Sequence, residues 1–240
     1  PYTWWLSGIS LAALLVFVYP YLIYPLILRL LPRKPYIPAT EVDTSNMSAA
    51  LVFCAYNEEA VLEEKLANVR QLTQAIPGLQ VLAYSDASTD RTNDMLEMAR
   101  DCLEPVISSQ RTGKVLGMQR LVDMINADVV VFSDANVIIE PAQFQRLLQY
   151  FANPEVGSVA ATVHYLAPDD GYTSTARVGG LYWKLEELIK LLESETGSTM
   201  GNHGALFARR RNNYPRLPAH LVDDMGTSIA VMFDGMRCLS

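Results

Sequence analysis

The chain has 240 residues, half of them hydrophobic and 19% charged, with 13 Gly and 13 Pro; this excludes a largely disordered chain and a collagen-like or low-complexity one. Its 19 Lys and Arg stand against 26 Asp and Glu, and the net charge of -7 argues against nucleic-acid partners, whose binding rests on neutralising phosphates. Cys54, Cys102 and Cys238, with the scattered His164, His203 and His220, make neither a disulfide framework nor a zinc site, and reducing surroundings are the simpler reading.

No charged residue occurs from Pro1 to Leu28, and Trp4 to Leu31 is almost wholly apolar. At about 1.5 Å of rise per residue this is long enough to cross the hydrocarbon core, so residues 1–31 are expected to form one transmembrane helix. Pro20 and Pro25 would kink it, which lipid-embedded helices tolerate. Trp4 and Trp5 suit one interface, while Arg29, Arg33 and Lys34 follow the other end. The positive-inside rule then puts the rest of the chain in the cytoplasm, on the inner membrane. A cleaved signal peptide is disfavoured, because the run is too long and has neither a preceding basic region nor a following small-residue cleavage site. A buried core helix is the competing reading. In the cytoplasm the sequon Asn46-Met47-Ser48 has no meaning.

Residues 32–48 are rich in Pro, Thr, Ser and charge and read as a linker to a domain over residues 49–240. Ala49 to Ala55 fits a buried parallel strand. Leu62, Leu66, Val69 and Leu72 repeat at helical spacing before a Pro77-Gly78 turn. Gln80 to Tyr84 is the next strand, Asp90 to Leu103 a helix, Pro105 to Ser108 a third strand, and Lys114 to Ile125 a further helix. Asp128 to Ser133 is the strongest buried strand. Pro141 opens another helix, where its missing N–H costs nothing, and Gly157 to Val163 is a strand. Tyr182 to Glu195 is an amphipathic helix with Leu185, Leu188, Ile189 and Leu192 inward and a Glu186–Lys190 pair outward. Such alternation predicts an α/β fold with a mostly parallel sheet flanked by helices.

In such sheets ligands bind beyond the carboxyl ends of the strands. The loops there carry Tyr56-Asn57-Glu58-Glu59, Ser85 to Asp90, and Asp134-Ala135-Asn136. Asp134 and Asn136 sit two apart in an extended segment and can offer oxygens to one hard cation such as Mg²⁺ or Mn²⁺; a turn or helix cap is the plainer alternative. Asp86, Asn57 and Glu58 can accept hydrogen bonds from a base or ribose. Arg111-Thr112-Gly113-Lys114 sets two cations around a glycine ahead of a helix N-terminus that favours anions. Asp223-Asp224 reads either as a helix N-terminus, where acids counter the macrodipole, or as a general base whose proton affinity its neighbour raises. Trp183 is core or a platform for a sugar face. Arg209-Arg210-Arg211 reads as a solvated or membrane-facing turn, with a diphosphate contact as the alternative, and His203 is the histidine to watch.

Cys54-Ala-Tyr-Asn-Glu-Glu59, Asp86-x-Ser88-x-Asp90-x-Thr92, Arg111-x-Gly-Lys114, Ser-Asp-Ala-Asn136, the stretch Trp183 to Arg210 and Asp223-Asp224 come in an order that resembles family 2 glycosyltransferases. The likeness runs from about Ala49 to the end of the chain, and is greatest to membrane-anchored bacterial members that include cellulose, hyaluronan and poly-N-acetylglucosamine synthases. It implies the GT-A fold and an inverting transfer from a nucleotide-sugar, usually UDP-linked, to an acceptor hydroxyl. By position, Ala55, Tyr56, Glu58 and Asp86 would hold the nucleoside and Lys114 the diphosphate. Asp134, with Asn136, would bind Mg²⁺ or Mn²⁺ together with the diphosphate. Asp224 would deprotonate the acceptor, with Asp223 and Trp183 on the acceptor side. The expected product is an exopolysaccharide or surface glycan. The alternatives are single-sugar transfer to a polyprenyl-phosphate or lipid-linked acceptor, and a non-catalytic nucleotide-sugar-binding partner subunit.

Two departures from the family pattern stand out. Asn136 replaces the second acid of the usual Asp-x-Asp, which lowers the charge offered to the metal. The Gln-x-x-Arg-Trp motif of processive synthases does not occur, and a truncated domain whose terminal strand after Met236 is cut off is expected.

Overall fold

The computed structural model describes residues 3–38, 44, 46–162, 174–201, 204–218 and 223–240. The apolar N-terminus forms α1 (Thr3–Val18), a π-helical turn (Tyr19–Ile23) and α2 (Tyr24–Leu30). There follow β1 (Ala49–Ala55), α3 (Glu59–Ala75), β2 (Gln80–Asp86), α4 (Thr92–Met98), β3 (Glu104–Ser108), α5 (Lys114–Met124) and β4 (Val129–Asp134). The remainder comprises α6 (Pro141–Gln149), β5 (Val156–Ala160), α7 (Ser174–Thr196), β6 (Leu206–Arg210), α8 (Asp223–Phe233) and β7 (Arg237–Leu239). These pack as two units, Pro1–Tyr36 with Tyr165–Ser198, and Ile37–His164 with Thr199–Ser240.

In the first unit the helical run Trp4–Leu30 spans 27 residues and is long and apolar enough to cross a membrane. Pro20 has no N–H to give and its ring crowds the preceding turn; the helix answers by widening to the π form, in which Tyr24 N–H reaches the Tyr19 carbonyl. The expected kink is therefore an identifiable π turn. α2 meets α7 through Tyr24 Oη, which donates to Glu193 Oε1 at 2.5 Å, and Arg33 Nη1 lies 3.3 Å from Glu195 Oε2. α7 begins earlier than its apolar periodicity suggests, and it carries the Glu186–Lys190 pair at 3.0 Å. Trp183 on this helix is 46% exposed and is not a core residue.

The second unit is built on a seven-stranded mixed sheet in the order β3-β2-β1-β4-β6-β5-β7. β3, β2, β1 and β4 run parallel, β6 is antiparallel to both β4 and β5, and β7 is parallel to β5. β1 and β4 lie at the centre, which is why they read as unbroken apolar runs; Leu51, Val52, Phe53, Val130 and Val131 are fully buried. On one face Val52, Tyr84 and Phe132 pack against Met118, Leu121 and Val122 of α5. Each such side chain contributes about 1.5–3 kcal/mol by leaving water.

α5 approaches the sheet closely because residue 117 is glycine: a Cβ there would lie 2.5 Å from Tyr84 Cδ1 and 3.1 Å from Cys54 Sγ. Gly117→Ala gains about 1 kcal/mol of helix propensity, yet overpacking of this kind costs about 1–3 kcal/mol. Tyr84 is buried and its hydroxyl is tied to Thr112 Oγ1 at 2.7 Å, so the ring cannot retreat. The variant is expected to melt earlier than wild type; an equal or higher melting temperature contradicts the packing described.

Three sequence expectations need correction. First, Arg209 and Arg210 are not part of a solvated turn; only Arg211 opens one, the 3-10 turn Arg211–Asn213. Arg209 and Arg210 lie in β6, Arg209 is fully buried with its guanidinium on the carbonyls of Thr227 and Asn213, and Arg210 donates to the carbonyls of Phe151, Asn153 and Val156. β6 was hidden because two charges occupy a central strand, where main-chain carbonyls satisfy them. Second, the helix expected over Asp90 to Leu103 is only Thr92–Met98, since Asp90 Oδ1 accepts the Thr92 N–H at 3.0 Å in an Asx-type turn. Third, the strand expected to be cut off after Met236 is present as β7 and pairs with β5. His164, His203 and His220 lie outside the described residues.

Candidate functional site

β1, β2 and β4 are parallel neighbours, so the loops leaving their carboxyl ends are brought side by side. Between them lies a cavity of about 300 Å³, and Ala55, Tyr56, Glu58, Asp86, Lys114, Asp134 and Asn136 all line it. Cys54, Arg111, Gly113 and Ala135 complete the wall. Arg111 and Gly113 belong to the pair of cations around a glycine read from the sequence as favouring an anion, whereas Cys54 and Ala135 were not singled out as binding residues.

The first two loops are fastened to each other by side chains. Ser88 Oγ accepts the Asn57 N–H at 3.2 Å, Thr92 Oγ1 accepts that of Glu58 at 2.9 Å, and Asp90 Oδ2 accepts that of Glu59 at 3.1 Å. In return Asn57 Oδ1 accepts the Thr89 N–H at 2.8 Å and Glu59 Oε2 that of Arg91 at 2.9 Å. The Asp-x-Ser-x-Asp-x-Thr pattern thus serves mainly to brace the rim. Asn57 and Ala87 hold left-handed backbone at φ 54° and 60°, uncommon for residues with a Cβ and maintained here by that bracing.

Asp86 closes the third side. Its Oδ1 accepts the Thr112 N–H at 2.7 Å and Oδ2 the Gly113 N–H at 3.0 Å, which fixes the turn into α5. Gly113 has φ 88°, a conformation that favours glycine. Arg111, 3.8 Å from Asp86 Oδ2, lays its guanidinium 3.4 Å from the centroid of the Tyr56 ring. The exposed face of Tyr56 therefore accepts a flat group.

At the other end Lys114 Nζ donates to Asp134 Oδ1 at 2.8 Å. A cation thus already sits against this carboxylate. Burial first, and then the negative charges of Asp134 and Asp90, raise the Glu58 carboxyl above its ordinary range. Among the described residues no group of three or more His, Cys, Asp or Glu is placed to hold a metal. The oxygen donors Asp134 and Asn136 fit a hard divalent ion that completes its shell with phosphate oxygens and water rather than with protein ligands.

Not every candidate residue joins this cavity. Asp223 and Asp224 open α8, as the helix-terminus reading expects, and their side chains lie outside the described residues. The first turns of α8 are anchored through the Thr227 carbonyl on Arg209 and through Ser228 Oγ, which accepts the Gly201 N–H at 3.1 Å. Trp183 belongs to the other unit.

Sequence reasoning passed over Lys65, which burial pulls down to about 7 against the upward pull of Asp134. The signal was a lysine interrupting the Leu62-Leu66-Val69 stripe of α3. The unfolded chain keeps that proton to about pH 10.4. Stability is therefore lowest below pH 7 and rises towards pH 10, by up to about 1.4 kcal/mol per pH unit. The melting temperature of wild type relative to Lys65→Met is expected to rise between pH 7 and pH 9; a pH-independent difference contradicts the assignment.

The sequence model described as Glycosyl transferase family 2 matches residues 50–217, which covers all three loops of the cavity. The chain belongs to this family. Solved structures share its fold. The mannosyltransferase PcManGT of Pyrobaculum calidifontis, in complex with GDP-Man and Mn²⁺, is 22% identical with a TM-score of 0.80 over 98% of this chain and 66% of its own. Glucosyl-3-phosphoglycerate synthase of Mycobacterium tuberculosis, in complex with Mn²⁺, UDP and glucosyl-3-phosphoglycerate, is 17% identical with a TM-score of 0.54 over 87% of this chain and 77% of its own. TarS of S. aureus is 15% identical with a TM-score of 0.57 over 77% of this chain and 33% of its own. The chain thus spans 66% of the mannosyltransferase. No curated protein matches it in sequence. The fold is GT-A, a mixed α/β sheet of seven strands with flanking helices.

Proposed function

We propose that this chain is a nucleotide-sugar-dependent glycosyltransferase that inverts the anomeric centre and works at a membrane. The observation that carries this reading is the convergence of Tyr56, Glu58, Asp86, Lys114, Asp134 and Asn136 on one cavity at the carboxyl ends of β1, β2 and β4. The nucleobase stacks on the exposed face of Tyr56, opposite the guanidinium of Arg111, with Ala55, Glu58 and Asp86 around the nucleoside. Lys114 holds the diphosphate. Asp134 and Asn136 would hold Mg²⁺ or Mn²⁺, whose chemistry is to neutralise charge on the departing diphosphate. Asp224, at the start of an anchored helix, takes the proton from the acceptor hydroxyl as it attacks the anomeric carbon, with Asp223 on the acceptor side. A single displacement from the opposite face inverts that carbon.

The similar structures hold GDP-Man in one case and UDP in another, so both bases belong in the test. The run Trp4–Leu30 supports an inner-membrane anchor, and the basic Arg29, Arg33 and Lys34 after it support a catalytic unit on the cytoplasmic side. The expected products are glycans of the kind made by membrane-anchored polysaccharide synthases; transfer of one sugar to a lipid-linked acceptor is the alternative. The chain in detergent, given membrane extract as acceptor and a panel of UDP- and GDP-sugars, is expected to release nucleoside diphosphate from one donor only when Mg²⁺ or Mn²⁺ is supplied. Product length separates polymer from single addition. Binding without turnover contradicts the enzymatic reading and favours a partner subunit.

A further inference from the structure

Beneath the Asp134-Ala135-Asn136 loop lies the fully buried Lys65 of α3. Its Nζ donates to Ser133 Oγ at 2.8 Å and to the Val137 carbonyl at 2.6 Å. These acceptors bracket residues 134–136 on both sides, and Ser133 Oγ donates in turn to the Asp134 carbonyl at 2.9 Å. One turn further along α3, Asn68 grips the same segment with both ends of its amide: Nδ2 donates to the Ile139 carbonyl at 2.8 Å, and Oδ1 accepts the Ile139 N–H at 2.9 Å. Residues three apart on a helix share a face, so α3 clamps residues 133–139 with two side chains. Desolvating an ammonium is costly, and an apolar side chain would fill this place more cheaply. It would not hold the loop.

We propose that Lys65 is a positioning residue that fixes the Asp134-Ala135-Asn136 backbone from below and so presets the two oxygen donors that face the cavity. The proposal rests on the assignment of Asp134 and Asn136 to a divalent cation. Lys65 touches neither donor nor acceptor and acts through the loop alone. Its charge and its hydrogen bonds work in opposite directions. A positive charge near Asp134 repels a second cation, whereas a held loop favours it. Partners that orient a metal's ligands typically contribute roughly 10- to 100-fold in affinity. The proposal is that holding prevails, and the sign of the change on removing Lys65 distinguishes the two.

The test is a Mn²⁺ titration of the full chain in detergent, alone and with UDP or GDP, following unbound Mn²⁺ by electron paramagnetic resonance. Metal-free nucleotide affinity and melting temperature are measured in parallel. Lys65→Met is expected to need at least about tenfold more Mn²⁺ for half-saturation, with metal-free nucleotide affinity within about twofold of wild type. Ser133→Ala is expected to shift Mn²⁺ binding the same way by less. A purely structural lysine would lower the melting temperature and leave Mn²⁺ affinity of the folded protein unchanged; that result, or tighter binding in Lys65→Met, overturns the proposal. Should Lys65→Met not fold, an unchanged Mn²⁺ midpoint in Ser133→Ala overturns it instead. Asp134→Ala separates the two levels. If that variant binds Mn²⁺ as wild type does, the cation assignment itself fails; if it loses Mn²⁺ while Lys65→Met does not, only the role of Lys65 fails.

Discussion

Asp224→Asn is expected to lower turnover by about 10²- to 10⁴-fold, the usual contribution of a positioned base, while nucleotide-sugar affinity stays near that of wild type. The amide keeps the size of the side chain but cannot take a proton from the acceptor. α8 is held by contacts that do not involve residue 224, namely the Thr227 carbonyl on Arg209 and Ser228 Oγ on the Gly201 amide, so the helix is expected to remain in place. Steady-state kinetics with the donor found in the panel, beside donor binding by calorimetry, make the check. Full turnover removes Asp224 from the role of base. Loss of turnover together with loss of donor binding assigns it to the donor side.

Asp134→Ala carries the second large effect. Orienting partners alone contribute roughly 10- to 100-fold to metal affinity, and removal of a direct ligand is expected to cost at least about 100-fold. UDP or GDP binding should weaken mainly when Mn²⁺ is present, because without the ion Asp134 repels the diphosphate. In the metal-free protein that repulsion is blunted by Lys114 at 2.8 Å. The variant removes the carboxylate's repulsion and leaves this lysine its bond to the Gly204 carbonyl, so metal-free nucleotide affinity is expected to hold steady or improve. An equal loss with and without Mn²⁺ points to a damaged fold and contradicts the ligand role.

How much of this was legible in the sequence follows from where each segment sits. β1 was readable to its ends because a central parallel strand is buried on both faces and leaves an unbroken apolar run. The cavity was readable because ligand sites in such sheets follow the strand ends, so polar clusters after apolar runs mark it. β6 was not, because its Arg209 and Arg210 are satisfied by carbonyls from residues far away in sequence. Local pattern cannot distinguish a solvated arginine from one buried on main chain. The bracing roles of Ser88, Asp90 and Thr92 were equally hidden, since their partners come from the loop after β1. Lys65 stood in plain view in an apolar stripe, but only its tertiary partners give it a purpose.

The most direct test is a crystal structure of the chain with UDP or GDP and Mn²⁺, with the ion placed by its anomalous signal. The account predicts the base against Tyr56, the diphosphate beside Lys114, and the ion coordinated by Asp134. A nucleotide bound outside the cavity formed by the loops after β1, β2 and β4, or an ion remote from Asp134, would contradict it.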